Sequence, residues 1–78
     1  MVRITGVEKG SPADKHKIKE GDYLISINDH DINDVLDYRF RLTERKITLK
    51  IHRGAELFDV TIKKDEYSDI GLEFETYL

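Results

Sequence analysis

Three histidines and 16 Asp and Glu residues carry most of the capacity for chemistry in this 78-residue sequence. The run from Asp29 to Asp34 places oxygen ligands at alternate positions, as a calcium-binding loop does. In that frame Asp34 replaces the glycine that the loop requires, and Phe40 replaces the bidentate glutamate. Turn formation and helix capping explain these acids better, so we expect no metal site.

The histidines and the other charged clusters give no catalytic arrangement. His16, His30 and His52 fall in three separate elements, and none stands beside a serine in a triad-like order. The acidic pairs Asp14/Glu20 and Asp65/Glu66 lack the apolar surroundings on which a catalytic carboxylate usually depends. We interpret the loose basic cluster, which acids interrupt, as a solvated face: it comprises Arg39, Arg41, Arg45, Lys46, Lys50 and Arg53. We therefore expect no catalytic residue and no enzyme activity.

Length and composition exclude further classes of function. A chain of 78 residues forms one small domain with one modest core. Its net charge of −3 argues against a nucleic-acid-binding module, and its lack of cysteine removes disulfides, thiolate metal sites and iron–sulfur ligation from this chain. We expect no cofactor. No apolar run approaches the ~20 residues of a membrane span, and no signal-peptide core follows Met1. The expected protein is cytoplasmic, without nucleic-acid or membrane partners.

The first half of the chain contains two strands and one short helix, which must position these residues. Alternation predicts a strand from Val2 to Val7, and Ser11 with Pro12 predicts the cap and first residue of a short helix. A second strand follows from Tyr23 to Ile27, with residues 23, 25 and 27 on one face. Asn28-Asp29 then predicts a tight turn.

The second half contains the large helix and three more strands. Apolar residues at positions 35, 38 and 42 predict an amphipathic helix from Asp34 to about Arg45, capped by Asp34 or Asn33. A hairpin joins a strand at 47–51 to one whose core face carries Phe58, Val60 and Ile62. An acidic loop, 65–69, precedes a last strand at 72–78. The predicted class is α+β, a partly open antiparallel barrel of about five strands and two helices.

Three motifs occur in an order that points to a family. Val7-Glu8-Lys9-Gly10-Ser11-Pro12-Ala13 comes first, then Gly21-Asp22 with an apolar strand ending at Asn28-Asp29, then the amphipathic helix and Ile47-Thr48-Leu49-Lys50-Ile51. This order resembles the PDZ domain over essentially the whole chain, although Asp29 replaces the usual glycine of an Asn-Gly turn. The x–Φ–Gly–Φ loop of that family matches Asp69-Ile70-Gly71-Leu72, near the end of the sequence. The arrangement resembles the circularly permuted PDZ domains of bacterial proteins such as HtrA-type proteases.

A closer resemblance lies in the helix and in the last strand. Asp34-Val35-Leu36-Asp37-Tyr38-Arg39-Phe40 and Ile70-Gly71-Leu72-Glu73-Phe74-Glu75 look like the N-terminal PDZ-like domain of a bacterial family. Its members are described as iron–sulfur oxidoreductases with a radical-SAM-like region downstream. The resemblance implies that this sequence is a single domain excised from a longer protein whose cysteines follow it.

The PDZ resemblance also implies a binding site. In that mode a peptide or a β-finger of a partner adds as an antiparallel strand between the last strand and the large helix. The backbone N–H groups of Ile70, Gly71 and Leu72 would bind a terminal carboxylate, and glycine supplies the positive φ that turns them inward. The pocket for the last side chain would contain Ile70, Leu72, Phe74 and Leu42, and the upper groove would contain Val35, Tyr38 and Arg39.

Charge around this loop opposes a carboxylate ligand. Asp65, Glu66 and Asp69 surround it, and Lys63 and Lys64 are the nearby cations. Several acids together repel an incoming anion, so we expect weak or absent binding of free C-terminal peptides.

Two functions therefore remain open at this stage. The first is a non-catalytic peptide-binding module, and the second is an intramolecular domain that packs on and positions a downstream iron–sulfur oxidoreductase region. An open channel between helix and last strand favours the first, whereas a channel filled by Tyr38 or Phe40 favours the second. The ending Glu75-Thr76-Tyr77-Leu78 matches an x–Thr–x–Φ ligand pattern, which predicts self-association of the isolated chain through its C-terminal strand.

Overall fold

An antiparallel sheet with two short helices carries the fold in the computed structural model, which describes residues 1–75. The strands are β1 (Val2–Val7), β2 (Tyr23–Ile27), β3 (His30–Asp31), β4 (Lys46–Arg53), β5 (Glu56–Lys63) and β6 (Leu72–Phe74). The helices are α1 (Pro12–Lys15) and α2 (Val35–Phe40), and a 3-10 turn, Arg41–Thr43, continues α2. The strand order is β5-β4-β2-β1-β6, with β3 paired to β2. The predicted α+β class, with its count of strands and helices, is confirmed.

The start of the chain folds as its residue types dictate. Ser11 caps α1 by accepting a hydrogen bond from the Asp14 N–H, and Pro12 is the first helical residue. Asn28 and Asp29 both have positive φ, 49° and 65°, and they join β2 to β3 with Ile27 opposite His30. Two successive positive-φ residues define the tight turn that suits an antiparallel hairpin, so the predicted turn is confirmed.

Strand β2 departs from simple alternation. A bulge shifts its register against β4 between Leu24 and Ser26. As a result, Leu24 and Ile27 are both fully buried although they are three residues apart. The prediction of one face for residues 23, 25 and 27 is therefore wrong at Ile27.

The predicted long helix is shorter than expected. Asp34 caps α2 by accepting from the Asp37 N–H at 2.8 Å, while Asp37 accepts from the Asn33 N–H at 2.9 Å. These bonds confirm a capping role for acids of the 29–34 run. The helix ends at Phe40 and not near Arg45, because the chain tightens into the 3-10 turn and is extended by Glu44. Lys64 Nζ donates to the Leu42 carbonyl and so caps this end from β5's side.

The core lies between the sheet, α2 and the loop that precedes β6. Strand β4 contributes Ile47, Leu49 and Ile51, all fully buried, and their partners on β5 are Ile62, Val60 and Phe58. Val60 and Ile62 are buried as predicted, whereas Phe58 is half-buried beneath the Arg53 guanidinium, 5.0 Å from its ring centre.

The far end of the chain is described only to residue 75. Strand β6 covers 72–74 of the predicted strand 72–78, and the Thr76-Tyr77-Leu78 part of the predicted ligand-like ending lies outside the described residues. Within residues 1–75, no helix has the length and apolar character required to cross a bilayer.

Candidate functional site

A groove runs between α2 and β6 and holds a cavity of about 490 Å³. The helix, the loop before β6 and β6 itself each supply part of its wall. The lining residues are Val35, Tyr38, Arg39, Leu42, Thr43, Tyr67, Asp69, Leu72, Glu73 and Phe74. The groove combines apolar side chains from both walls with Arg39 on the helix and Asp69 on the opposite wall.

Most of the residues assigned to the groove from sequence meet in this cavity. Val35, Tyr38, Arg39, Leu42, Leu72 and Phe74 all line it. Ile70 does not, because its side chain is fully buried in the core, and this corrects its assignment to the pocket for a terminal side chain. Sequence reasoning missed Thr43, Tyr67 and Glu73 as lining residues.

The loop before β6 is anchored to the start of α1. The Ala13 N–H donates to the Ile70 carbonyl at 2.9 Å, and the Glu8 N–H donates to the Gly71 carbonyl at 2.8 Å. Gly71 has a φ of +91°, and a Cβ there would collide with the Ser11 side chain. Glycine is therefore required twice at this position, for its backbone conformation and for close packing. The Gly-Ser-Pro-Ala motif thus supports the loop from behind.

Tyr38 crosses the loop end of the groove and is nearly fully buried. Its hydroxyl donates to Asp69 Oδ1 at 3.0 Å, and the same oxygen accepts from the Ile70 N–H at 2.8 Å. The Tyr38 ring meets Phe74 edge-on, with ring centres 4.7 Å apart. Helix, loop and last strand are therefore joined through a single phenol.

Burial raises the pKa of Tyr38 far above that of a free tyrosine, and the charge and hydrogen bond of Asp69 raise it further. Backbone N–H groups of Leu72 and Ile70 approach the phenol oxygen and partly offset this rise. Tyr38 therefore remains a neutral hydrogen-bond donor at physiological pH. Its hydroxyl donates a hydrogen bond to the Asp69 carboxylate, and it does not ionise near neutral pH.

Some of the charged side chains around the loop form ion pairs or hydrogen bonds within the domain. Glu66 pairs with Arg45 at 3.1 Å on the surface. Lys64 donates to the backbone carbonyls of Leu42 and Asp65, and burial lowers its pKa although nearby acids oppose that change. Its ammonium group is thus bonded to the backbone, and it also interacts electrostatically with Asp65, Asp69 and Glu66.

The three histidines lie in separate parts of the fold, His16 at the end of α1, His30 in β3 and His52 in β4. His16 contacts the Pro12 carbonyl through Nδ1 at 2.8 Å at the end of α1, and His52 lies in β4 opposite Leu57. Across residues 1–75, no group of three or more His, Asp or Glu side chains is placed to hold a metal ion.

The comparisons with known proteins identify the family of this fold. The family model of the PDZ domain matches residues 3–53, which include most of β1, both helices and β2 to β4. This chain belongs to the PDZ domain family. PDZ domains are in general non-catalytic modules of protein interaction. The loop at 69–72 and strand β6, which form one wall of the groove, lie beyond the matched segment.

One curated relative extends the match beyond that segment. It is a "Probable CtpA-like serine protease" of Staphylococcus saprophyticus subsp. saprophyticus, 29% identical over 82 residues. The alignment covers 99% of this chain but 17% of the relative. The similarity therefore concerns one domain within a much longer bacterial protein.

Proposed function

We propose that this PDZ domain is a non-catalytic module that binds an extended peptide or a β-finger by strand addition between β6 and α2. The observation that carries the proposal is the open groove of about 490 Å³ between these two elements. Tyr38 forms part of its wall without filling it, and Phe40 is 70% exposed outside it.

The backbone of β6 supports strand addition. β6 is the last strand of the sheet order, and β1 occupies its other side. The Gly71 carbonyl accepts a hydrogen bond from the N–H of Glu8, the residue directly after β1, and therefore points toward β1. Leu72 is the next residue in the chain. Because backbone groups of successive strand residues point to opposite sides, those of Leu72 face the groove. An incoming strand would meet hydrogen-bonding groups at Leu72 and apolar surface at Phe74 and Leu42.

Adjacent helix residues provide the test. Val35 lines the groove, whereas Leu36 is 75% exposed outside it. Peptides selected from a random library would be titrated against both glutamate variants. We expect Val35→Glu to weaken binding at least about tenfold, because an unpaired carboxylate would be desolvated by the ligand. Leu36→Glu should leave affinity within about twofold, and equal losses in both variants would contradict binding in the groove.

The outward face of α2 favours a second candidate function. Leu36 and Phe40 lie four residues apart and are both largely exposed, and the Arg41 guanidinium lies 5.2 Å from the Phe40 ring centre. In the intramolecular alternative this face packs on a downstream region of a longer chain and positions it. That alternative predicts the reverse pattern: Leu36→Glu would loosen domain docking in the longer protein, measured by limited proteolysis, and Val35→Glu would not.

We further propose the context that the sequence resemblance implies. The chain would be a circularly permuted PDZ-like domain of a cytoplasmic protein, with its peptide-binding loop at Asp69 to Leu72 and a downstream iron–sulfur oxidoreductase region. The position of the loop after β5 and the pairing of β6 with β1 support the permuted order. A cysteine-rich segment directly after residue 78 would support this context, and a serine protease region would contradict it.

A further inference from the structure

The loop that would bind a terminal carboxylate already holds one. Asp69 Oδ1 accepts hydrogen bonds from the Ile70 N–H and from the Tyr38 hydroxyl, at 2.8 and 3.0 Å. Ile70 is one of the three residues whose backbone N–H groups would bind a terminal carboxylate, the others being Gly71 and Leu72. The chain's own carboxylate therefore takes two donors at the loop end of the groove.

Charge reinforces this occupation. Asp69 lies on the wall that a ligand's last residue would face, while Arg39, the cation of the lining, belongs to the helix. A second carboxylate brought to the loop would be repelled by Asp69 and would find the Ile70 N–H engaged. A neutral amide backbone or a cationic side chain meets no such repulsion.

We infer that the groove selects an internal extended segment, neutral or cationic where it meets the loop, and rejects a free C-terminal carboxylate. This inference rests on the proposed function, since it concerns the ligand of the same groove. Asp69, held by Tyr38, is the residue that sets the selection.

The test uses the 78-residue chain and its variants with peptides as probes. Two random libraries would be displayed, one ending in a free carboxylate and one held internally between constant flanks. Selected peptides would then be synthesised with a free carboxylate, with a carboxamide, and with Lys or Glu at the loop-facing position. For the natural chain we expect binders from the internal library, binding of the carboxylate form at least about threefold weaker than that of the carboxamide, and a preference for Lys over Glu.

Three variants distinguish the effect of the hydrogen bonds that Asp69 accepts from the effect of its negative charge. Asp69→Ala frees the Ile70 N–H and the Tyr38 hydroxyl, so peptides with a free carboxylate should bind at least about tenfold better than their carboxamides. Asp69→Asn keeps an acceptor oxygen while removing the charge, so its gain should be much smaller. Asp65→Ala removes an acid of the same loop outside the groove lining and should change the ratio less than twofold. Circular dichroism would verify that each variant folds.

The outcomes distinguish this inference from the proposed function. A natural chain that binds the free carboxylate as tightly as the carboxamide, or more tightly, overturns the inference and leaves the proposed function standing. If Asp69→Asn raises the affinity for free carboxylates as much as Asp69→Ala does, the charge of Asp69 alone explains the selection. That result would also overturn the claim that Asp69 acts by accepting the hydrogen bonds of the Ile70 N–H and the Tyr38 hydroxyl. If neither the natural chain nor Asp69→Ala selects any peptide, the proposed function fails and the inference fails with it.

Discussion

Tyr38 belongs to the core and to the candidate site at once. Its ring packs against Phe74, and its hydroxyl holds Asp69, 31 residues later in the chain. From sequence, position 38 is an apolar-face residue of an amphipathic helix, and that assignment is correct. The sequence does not reveal the hydrogen bond to Asp69, because that bond forms only when the sheet brings the loop before β6 against the helix. The sequence could therefore place Tyr38 in the groove but could not assign it a partner.

A glycine pair tests the close packing behind the loop. We expect Gly71→Ala to destabilise the fold by about 2–4 kcal/mol, because a Cβ adds left-handed strain and collides with Ser11. Gly10→Ala is the matched control: Gly10 also has positive φ, 80°, but a Cβ there would meet open space. Its cost should be the strain alone, about 1–2 kcal/mol. Urea unfolding measures both, and equal losses would contradict the packing argument.

Asp22 and Arg53 form the most buried ion pair among residues 1–75. The Arg53 guanidinium donates to both Asp22 carboxylate oxygens at 2.8 Å and to the Lys17 carbonyl at 2.9 Å. Asp22 is 2% exposed, and it also accepts from the Lys19 N–H. Burial alone would raise the pKa of Asp22, but the bonds from Arg53 and Lys19 outweigh it and hold the pKa below the ordinary value.

The pair gives a pH-dependent stability prediction. A carboxyl whose folded-state pKa is lowered stabilises the fold above its unfolded-state pKa of about 3.9, and this contribution disappears as the pH falls through the folded-state value. At pH 7, Arg53→Ala should cost about 2–3 kcal/mol, because it leaves a buried carboxylate without its cation. Arg53→Lys should cost less but not zero, since ammonium cannot donate in the same fork. Urea unfolding from pH 7 to pH 2.5 should show the gap narrowing below about pH 5, and a constant gap would contradict this account.

At the scale of elements, local signals predicted beginnings better than ends. Caps at Ser11 and Asp34 start both helices as expected, since a cap is a contact within three residues. The end of α2 depends instead on Lys64, which reaches the Leu42 carbonyl from 22 residues away. The bulge in β2 likewise reflects pairing with β4. Periodicity could not reveal either feature, because both are set by contacts between distant segments.

The β2–β3 turn gives a prediction at this scale. The Thr48 N–H donates to the side-chain oxygen of Asn28 at 2.8 Å, so a substitution of Asn28 would also remove this hydrogen bond. Asp29, with a φ of 65°, is therefore the position at which backbone strain can be relieved by substitution. Asp29→Gly should stabilise the fold by about 0.5–1 kcal/mol, since relief of left-handed strain exceeds the added entropy of the unfolded chain. Asp29→Ala should destabilise it, because alanine lacks the local hydrogen bonding that lets Asp tolerate this conformation. Thermal unfolding distinguishes the two, and the same sign for both would contradict the argument.

At the scale of the molecule, the sheet has two ends in its strand order, and they differ in length and surroundings. Strand β5 ends one side with eight residues, and charged residues recur on its exposed positions: Glu56, Asp59 and Lys63. Such charges on an edge strand discourage pairing with another chain. Strand β6 ends the other side with three residues and lies beside the groove. The edge that is open to a partner strand is therefore the one that faces α2.

Hydrogen exchange can show which edge receives a ligand. Strand β4 lies between β2 and β5 and contributes three fully buried residues, so its amides should exchange slowest in the free protein. Adding a selected peptide at about 100 times its Kd should slow global unfolding events by the equivalent of about 2.7 kcal/mol. Beyond this uniform effect, extra protection should appear at Leu72 to Phe74 and in α2, and not along β5. Val35→Glu with the same peptide concentration is the control: a tenfold weaker Kd should reduce the uniform effect to about 1.4 kcal/mol. Extra protection along β5 would place the ligand on the opposite edge and would contradict strand addition beside α2.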